Sequence, residues 1–519
     1  MESDTCLVVV TVFKIVAPTL CVGGWVRFPP SPPFDSPSIS PEGRDGRLAH
    51  GKPCQERTDP STVLKVRRMK SSRLRAIPSV DKVLQSLGDT GLPGPVVVDA
   101  VRRHLKALRS RKTVSPADTI ITDIRASLQD LRASRLVPVI NGTGILVHTN
   151  LGRAPLGPDG IRALSTIGAN YNTLEYSLAA GTRGGRAAYL EHALAILCGA
   201  EAAAVVNNNA AALVLILDHF CRAATIEVVI SRGELLQIGG GFRIPELLEA
   251  RGARLREVGT TNQTGVADYA RAIGRNTALI LKVHRSNFFM EGFVESPSTE
   301  DLAALARRKR VPFVEDLGSG AIVQTETAEG VEHEPTPAEV IRRGVDLVCF
   351  SGDKLFGGPQ AGIIAGRKRM IDALKREPLF RALRCDKLIL SALESTVDTY
   401  LRGDTRIPVV EMMRISSDEL RGRAQRIVAA LDGRPLDVRV GSGRAQIGGG
   451  TLPRSALPSV TIDVRHPTLA AQDLTALLRD QPMPVIAYVA RGSVKLDLRT
   501  IFPHQDADVI GALLAVSGA

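Results

Sequence analysis

Apolar residues between positions 75 and 134 recur at helical spacing along otherwise polar segments. The segments are RAIPSVDKVLQSL (75–87), VVVDAVRRHLKALRSRK (96–112) and ADTIITDIRASLQDLRAS (117–134). Residues three and four apart lie on one face of a helix, so each segment combines one apolar face with one polar face. The pattern predicts a small helical domain, which we place at residues 69–134.

After Pro138 the pattern changes to short β-branched runs that alternate with helical stretches rich in Ala, Leu and Arg. The predicted strands are AAAVV (202–206), EVVIS (227–231), ALILKV (278–283), VPFVED (311–316), DLVCF (346–350) and AGIIAG (361–366). Strands separated by helices pair in parallel, and ligand sites in such sheets lie at the carboxyl ends of the strands. We therefore expect an α/β domain over residues 135–404 with a central, mostly parallel sheet.

The last part of the chain predicts a smaller α+β domain over residues 405–519. RAQRIVAALDG (423–433) has the pattern of a helix. Four further segments predict a strand, a helix, a hairpin and a helix, in that order: ALPSVTIDVRH (456–466), PTLAAQDLTALLRDQP (467–482), PVIAYVARGSVKLDLRTI (484–501) and HQDADVIGALLAVSG (504–518).

The first 68 residues differ from the rest of the chain. The apolar run LVVVTVFKIVAPTLCVGGW (7–25) precedes a stretch rich in Pro, Ser and Gly. A signal peptide or membrane anchor is disfavoured because Glu2 and Asp4 stand where basic residues are expected, and Lys14 and Pro18 interrupt the run. Two interpretations remain: a disordered tail, or an upstream extension that a misplaced start codon adds before Met69.

Charge and cysteine content narrow the class of protein. Residues 69–134 hold 12 Lys and Arg against 6 Asp and Glu, within a chain of net charge +12. Clustered cations favour a polyanionic partner such as a nucleic acid, although a solvated helix face explains them equally well. The seven cysteines show no CxxC pair and no metal-ligand spacing. We expect no metal site and no disulfide framework, which fits a reducing cytoplasm.

Three features follow predicted strands of the α/β domain. They are the turn VVNNNAAA (205–212) with Asn208, Asn209 and Ala210, the acid Asp316 in VPFVEDLGSG (311–320), and Lys354 with Ser351 in FSGDKLFGGPQAG (350–362). Taken singly, each feature also fits an ordinary structural role, as a helix cap, a turn residue or a surface lysine.

Together and in this order, the three features resemble enzymes that use pyridoxal 5′-phosphate (PLP) on the aspartate aminotransferase fold, fold type I. The resemblance implies that Lys354 forms the Schiff base with PLP and that Asp316 contacts the pyridinium nitrogen. The asparagine turn and Ser351 provide amides and a hydroxyl for the phosphate. His284 and Asn287 in KVHRSNF (282–288) are further candidates for contact with the cofactor. The fold type places the residue that stacks on the ring near 234–237, where no aromatic or histidine stands.

Longer motifs resemble bacterial selenocysteine synthase, the L-seryl-tRNA(Sec) selenium transferase family, essentially from Met69 to the end. They are INGTGILVHTNLGRAPL (140–156), VVNNNAAA, ISRGELLQIGGGFRIPELLEARGARLREVGTTN (230–262), EDLGSG (315–320) and FSGDKLFGGPQAG. The family's site arginines correspond to Arg153, Arg381 and Arg384, and Asp353 corresponds to an acid of its active site. The spacing of Arg381 and Arg384 predicts that both lie on one helical face.

The resemblance implies conversion of L-seryl-tRNA(Sec) to L-selenocysteinyl-tRNA(Sec), with selenophosphate as the donor and a PLP-bound aminoacrylyl intermediate. It also implies that residues 69–134 bind the tRNA. A homodecamer or another homo-oligomer is implied, with active sites between subunits, no membrane partner and a cytoplasmic location.

Two alternatives remain open on the sequence. One is a related PLP-dependent lyase or aminotransferase acting on a small amino acid or amino-sugar phosphate, which the basic helical domain disfavours. The other is a PLP-fold protein that binds RNA without catalysis. The complete set of Lys354, Asp316 and the three arginines disfavours this second alternative.

Overall fold

The computed structural model describes residues 76–518 apart from 112, 222–225, 236, 239–241, 244, 247–253 and 405. The described residues form two compact units, 76–138 and 139–518. The interpretation of residues 1–68 as a tail or an upstream extension lies outside the described residues. Among the described helices, none combines the length and the apolar composition that a membrane span requires.

The first unit consists of three helices, α1 Val80–Leu87, α2 Gly94–Ser110 and α3 Ala117–Ala133. Ser79 caps α1 by accepting a hydrogen bond from the backbone N–H of Lys82. The three apolar faces meet in one small core made of Val83, Leu87, Val97, Val101, Leu105, Leu108, Ile120, Ile124 and Leu128. The opposite face of α2 is basic and exposed, with Arg102, Arg103, Lys106 and Arg109.

The second unit contains strands and helices in alternation. Its strands are β1 Ile140–Asn141, β2 Ile145–Val147, β3 Tyr176–Ser177, β4 Thr182–Arg183, β5 Ala202–Val206, β6 Glu227–Ser231, β7 Gln237–Ile238, β8 Phe242–Arg243, β9 Arg254–Val258, β10 Thr277–Val283, β11 Phe313–Gly318, β12 Leu347–Ser351, β13 Gly362–Gly366, β14 Asp437–Gly448, β15 Thr451–Arg465, β16 Val485–Ile486, β17 Tyr488–Ala490 and β18 Ser493–Asp497.

The helices of this unit whose bounds the structure describes, apart from short 3₁₀ turns, are α4 Pro158–Gly168, α5 Ala188–Leu197, α6 Asn209–Phe220, α7 Val266–Ala272, α8 Thr299–Lys309, α9 Pro337–Arg342, α10 Lys368–Arg376, α11 Pro378–Ala382, α12 Lys387–Leu401, α13 Pro408–Arg414, α14 Ser417–Ala430, α15 Ala471–Arg479 and α16 Asp506–Val516.

A central sheet has the strand order β5-β13-β12-β11-β10-β6-β9 within the described residues. Both of its faces are buried, because neighbouring residues of one strand enter two different apolar cores. On β12, for example, Val348 and Phe350 enter one core, whereas Leu347 and Cys349 enter the other. Continuous apolar strands of this kind are typical of parallel sheets covered by helices on both sides. The predicted α/β class with a central, mostly parallel sheet is confirmed.

Two details of the central sheet differ from the sequence prediction. Strand β13 is antiparallel to both of its neighbours, β12 and β5, because a short loop rather than a helix joins it to β12. Strand β9 pairs in parallel with β6 at the edge of the sheet and was not predicted. Its sequence RLREV contains three charged residues among five, as suits an exposed edge.

A second sheet has the order β17-β18-β15-β14-β2. The predicted hairpin is formed by β17 and β18, and helices α14, α15 and α16 contribute to the apolar core beside this sheet. Strand β2 joins β14 in parallel, so the segment 145–147 belongs to a sheet built mostly from the last hundred residues. The second compact unit thus contains residues 139–404 of the first expected domain together with the described residues of the second, 405–519.

Gly362 fixes how closely β13 approaches the turn after β5. A Cβ at this position would overlap the backbone carbonyl of Asn208. We predict that Gly362→Ala lowers the free energy of unfolding by about 1 to 3 kcal/mol through overpacking. Denaturant unfolding measures this change.

The matched control for this prediction is Gly511→Ala in α16, where an added Cβ would meet no atom within 4 Å. It should raise stability slightly, because Gly inside a helix costs about 0.5 to 1 kcal/mol relative to Ala. Equal stability of the two variants would contradict the close approach at Gly362.

Candidate active site

The carboxyl ends of β5, β10, β11 and β12 meet at one edge of the central sheet and open into a cavity of about 540 Å³. Its lining includes ten of the twelve site residues that the sequence predicted: Arg153, Asn208, Asn209, Ala210, His284, Asn287, Asp316, Ser351, Asp353 and Lys354. These residues come from segments as far apart as 153 and 354, which the parallel strand order brings to the same edge.

The asparagine turn after β5 begins helix α6. Asn208 caps the helix, since its side-chain oxygen accepts a hydrogen bond of 2.8 Å from the backbone N–H of Ala211. Asn209 instead donates its side-chain amide to Asp316 Oδ1 at 2.8 Å. Ala210 lies in the first turn, whose amides have no acceptor within the helix and can bind an anion.

Asp316 is a buried carboxyl group at the end of β11, with only 3% of its surface exposed. Its Oδ1 accepts hydrogen bonds from Asn209 and, at 3.0 Å, from the backbone N–H of Gly318. Burial raises the pKa of Asp316, whereas the bond from Asn209 and the charge of Lys354 oppose that rise. A cationic group in the cavity would therefore be stabilised by this carboxylate.

Lys354 follows β12 and faces the same cavity. Burial lowers the pKa of its amine, and the charge of Arg153 lowers it further, whereas the negative charge of Asp316 opposes this shift. A lowered pKa increases the neutral fraction of the amine at a given pH. The neutral amine is the form that acts as a nucleophile or accepts a proton.

Arg153 and Asp353 join the early NLGRAPL segment to the lysine loop. The guanidinium Nη1 lies 2.6 Å from Asp353 Oδ2, and the backbone N–H of Ala154 donates to the carbonyl of Asp353 at 3.2 Å. Arg153 has φ 67°, a strained left-handed conformation for a residue other than glycine. Asp353 Oδ1 is buried and has no hydrogen-bond partner among the described residues. Asp353 therefore positions Arg153 beside Lys354.

His284, Asn287 and Ser351 also line the cavity. His284 Nε2 lies 3.3 Å from Oε2 of Glu334, a carboxylate with 2% of its surface exposed. Burial lowers the pKa of His284, but the bond and charge of Glu334 outweigh burial, so the net shift is upward. Glu334 was not predicted, since its segment GVEHEPTPAEV carries no local signal of a contact 50 residues away.

Arg381 and Arg384 do not line this cavity within one chain. The prediction that they share a helical face is wrong, because α11 ends at Ala382 and Arg384 lies beyond it. Arg381 is exposed, whereas Arg384 is half-buried with its Nη1 3.5 Å from Glu175 Oε1.

Other lining residues escaped the sequence analysis. They are Thr149, Leu213, Val283, Ser286, Gly318, Gln360, Gly449 and Gly450. The run IGGGT (447–451) was a usable signal, since consecutive glycines mark a close backbone approach. Within the 234–237 region, burial raises the pKa of Glu234 to about 7, and Glu234 Oε2 accepts a bond of 3.0 Å from the backbone of Val283. Leu236 and the side chain of Gln237 lie outside the described residues.

Comparison with solved structures indicates the class of protein to which the chain belongs. The fold resembles that of D-glucosaminate-6-phosphate ammonia-lyase, with a TM-score of 0.53 and 22% identity over 75% of this chain and 97% of that chain. At this identity the likeness shows a shared fold. The fold and the lysine-centred cavity at its strand ends together define an α/β enzyme.

Sequence comparison then gives the particular family. The family model for L-seryl-tRNA selenium transferase matches residues 139–502. The L-seryl-tRNA(Sec) selenium transferase of Geotalea daltonii is 42% identical over 86% of this chain and 99% of its own length. The same enzyme of Aquifex aeolicus is 42% identical over 85% of this chain and 97% of its own length. The chain belongs to the L-seryl-tRNA(Sec) selenium transferase family.

The lowered pKa of Lys354 predicts selective reactivity of the protein without added cofactor. At pH 8 a small acylating reagent should modify Lys354, because burial lowers the pKa of its amine and so increases the neutral fraction. Asp316→Asn should accelerate modification of Lys354, since it removes the charge that raises the lysine pKa. Peptide mass spectrometry over a pH series measures both rates. Slower modification in Asp316→Asn would contradict the proposed electrostatic coupling.

Proposed function

We propose that this enzyme converts L-seryl-tRNA(Sec) to L-selenocysteinyl-tRNA(Sec), using selenophosphate as the selenium donor and PLP as the cofactor. The observation that supports this most directly is the convergence of Lys354, Asp316 and the amino end of α6 on one cavity. Family membership over most of the chain supports the same substrate. The alternative of a small-molecule lyase or aminotransferase rests on a likeness of fold alone.

The residues of the cavity suit PLP. Lys354 would bind its carbonyl carbon, Asp316 its ring nitrogen, and Ser351 with the first turn of α6 its phosphate. His284 and Asn287 would contact the remaining ring substituents. Asn209 Oδ1 is a buried acceptor without a partner in the described chain, so the cavity has hydrogen-bonding capacity to spare. When bound, PLP supplies an electron sink for bonds broken at the α-carbon of an amino acid.

The protein's own residues would then handle protons and charge. Lys354, with its pKa lowered by burial, accepts the proton from the α-carbon of the seryl group. The hydrogen bonds from Asn209 and the Gly318 amide favour the charged form of Asp316 against the effect of burial, and the charged form would stabilise a positive charge on a group bound in the cavity. Arg153, held by Asp353, would supply a cation in the cavity that Lys354 also lines.

The selenium donor is an oxyanion, and arginine binds oxyanions through its planar fork. Arg381 and Arg384 do not line the Lys354 cavity of their own chain. We therefore propose a homo-oligomer, a homodecamer in its full form, in which these two arginines of one copy complete the site of another. Arg153 would contribute from the same copy as Lys354, since the two side chains line one cavity.

The helical unit is proposed to bind the tRNA, and residues 69–134 remain the expected boundaries. Its support is the exposed basic face of α2, which suits the phosphate backbone of a folded RNA. A cytoplasmic location is proposed as well. The described cysteines Cys198, Cys221, Cys349 and Cys385 are free and buried, as suits a reducing compartment.

The proposed function predicts two results with the purified protein. Borohydride reduction in the presence of PLP should fix the cofactor to Lys354, and seryl-tRNA(Sec) with selenophosphate should give selenocysteinyl-tRNA(Sec). Lys354→Ala should lose both, whereas Lys368→Ala, a change at an exposed lysine of α10, should lose neither. Peptide mapping and chromatography of the hydrolysed aminoacyl-tRNA measure these outcomes. Turnover of free amino acids without any reaction on seryl-tRNA(Sec) would instead support the lyase alternative.

Mixed oligomers test the shared donor site. Arg384→Ala should weaken donor binding about ten- to a hundredfold, because one charge-assisted contact is lost. At limiting selenophosphate, Lys354→Ala and Arg384→Ala should each be nearly inactive alone. Random mixing during co-expression should restore about a quarter of the parental activity, since some sites then receive both intact residues.

The control mixture for this experiment combines Lys354→Ala with Arg153→Ala. It should stay inactive, because both residues line the cavity of one chain. Equal activities of the two mixtures would contradict a donor site shared between subunits.

A further inference from the structure

Glu175 holds a cluster of three arginines that includes Arg384. Its Oε2 lies 2.7 Å from Nη2 of Arg183, and its Oε1 lies 2.9 Å from Nη1 of Arg186. Nη1 of Arg384 lies 3.5 Å from the same Oε1. Glu175 and Arg183 stand at the base of the hairpin formed by β3 and β4, and they tie it to the segment that contains Arg384.

Arg384 uses little of its hydrogen-bonding capacity in this cluster. Both oxygens of Glu175 already accept hydrogen bonds from Arg183 and Arg186, whereas the contact of Glu175 with Arg384 exceeds hydrogen-bonding distance. The Nε of Arg384 has no hydrogen-bond partner in the part of the chain that the structure describes. Arg186 is held a second time, by donation to the backbone carbonyl of Cys385. Arg384 therefore keeps donor capacity for a bound oxyanion, and Glu175 adds a negative charge close to it.

Glu175 is a carboxylate at neutral pH. The hydrogen bond from Arg186 lowers its pKa, and the charges of Arg183 and Arg384 add to this effect against a smaller opposing effect of burial. Three guanidinium groups and one carboxylate give the cluster a net charge of +2. An oxyanion bound to Arg384 would feel the attraction of the arginines and the repulsion of Glu175 at the same time.

We propose that Glu175 is an internal anion that weakens oxyanion binding at Arg384, so that an inorganic phosphate product can leave after the donor has reacted. The inference rests on the proposed function, in which Arg384 binds an anionic donor. A donor with a phosphate group and the phosphate that it releases present similar oxyanions to the same arginine. Without Glu175, the arginines would retain the released phosphate as strongly as they bind the donor. Phosphate release would then limit turnover.

Glu175→Gln removes the negative charge of residue 175 but keeps a side chain of nearly the same shape. The amide keeps one oxygen that can accept from Arg186, and Arg186 keeps its bond to Cys385, so the contacts of Arg186 are retained. The Arg183 contact involves a side chain that is 71% exposed, and loss of such a pair costs little stability. We expect Glu175→Gln to bind inorganic phosphate about tenfold more tightly, since a negative charge within a few ångströms of the anion is removed.

The measurement is calorimetric titration of the full-length, PLP-loaded protein with inorganic phosphate, so that the cofactor's phosphate site is already filled. Arg384→Ala tests the donor assignment, and Glu175→Gln tests the inference. Glu300→Gln is the matched control, because it removes a carboxylate from a different ion pair. In that pair Glu300 Oε1 lies 3.0 Å from Arg343 Nε. Thermal unfolding of each variant checks that the fold is intact.

Tighter phosphate binding in Glu175→Gln alone, together with loss of binding in Arg384→Ala, supports the inference. In the transfer assay the same variant should show a lower KM for the donor, a lower kcat and stronger inhibition by phosphate. If Arg384→Ala loses phosphate binding but Glu175→Gln binds it equally or more weakly, the inference is wrong and the donor assignment stands. If Arg384→Ala binds phosphate as the parent does, the donor assignment itself fails, and the role of Glu175 fails with it.

Discussion

The burial of a carboxylate beside an amine at the edge of the central sheet is the constraint on which the site depends. Asp316 is almost fully enclosed, and a charge in that position requires partners. Asn209 from the turn after β5, the Gly318 amide and the charge of Lys354 supply them. Three strand ends must therefore keep their register, because a shift of any one would leave a buried charge without its partners.

Segments far from the central sheet complete this arrangement. The chain from 145 to 153 adds β2 to the second sheet and then turns to bring Arg153 to Asp353. Gly449 and Gly450, between β14 and β15, close another side of the same cavity. The second sheet thus supports the cavity from two directions, and its stability is part of the site's geometry.

Positive charge is distributed unequally over the enzyme's surfaces. Arg153 is neutralised by one carboxylate inside the cavity, whereas Arg384 shares Glu175 with two other arginines outside it. On the proposed function, the enzyme needs cations for a nucleic acid and for a small oxyanion, and each cation that binds too tightly would slow release. Carboxylates placed beside arginines allow the strength of such sites to be adjusted without altering their shape.

The sequence by itself determined the elements and the chemistry that depend on local pattern. Helical periodicity located α1, α2 and α3, β-branched runs located every strand of the central sheet except β9, and strand order placed Asp316 and Lys354 at one edge. Only the tertiary structure decided the edge strand β9, the pairing of β2 with β14, the Arg153–Asp353 and His284–Glu334 contacts, and the separation of Arg384 from the cavity. The physical reason is that propensity and periodicity act over a few residues, whereas an ion pair or a cavity wall depends on backbones that meet from distant parts of the sequence, such as Arg153 and Asp353, which are 200 residues apart.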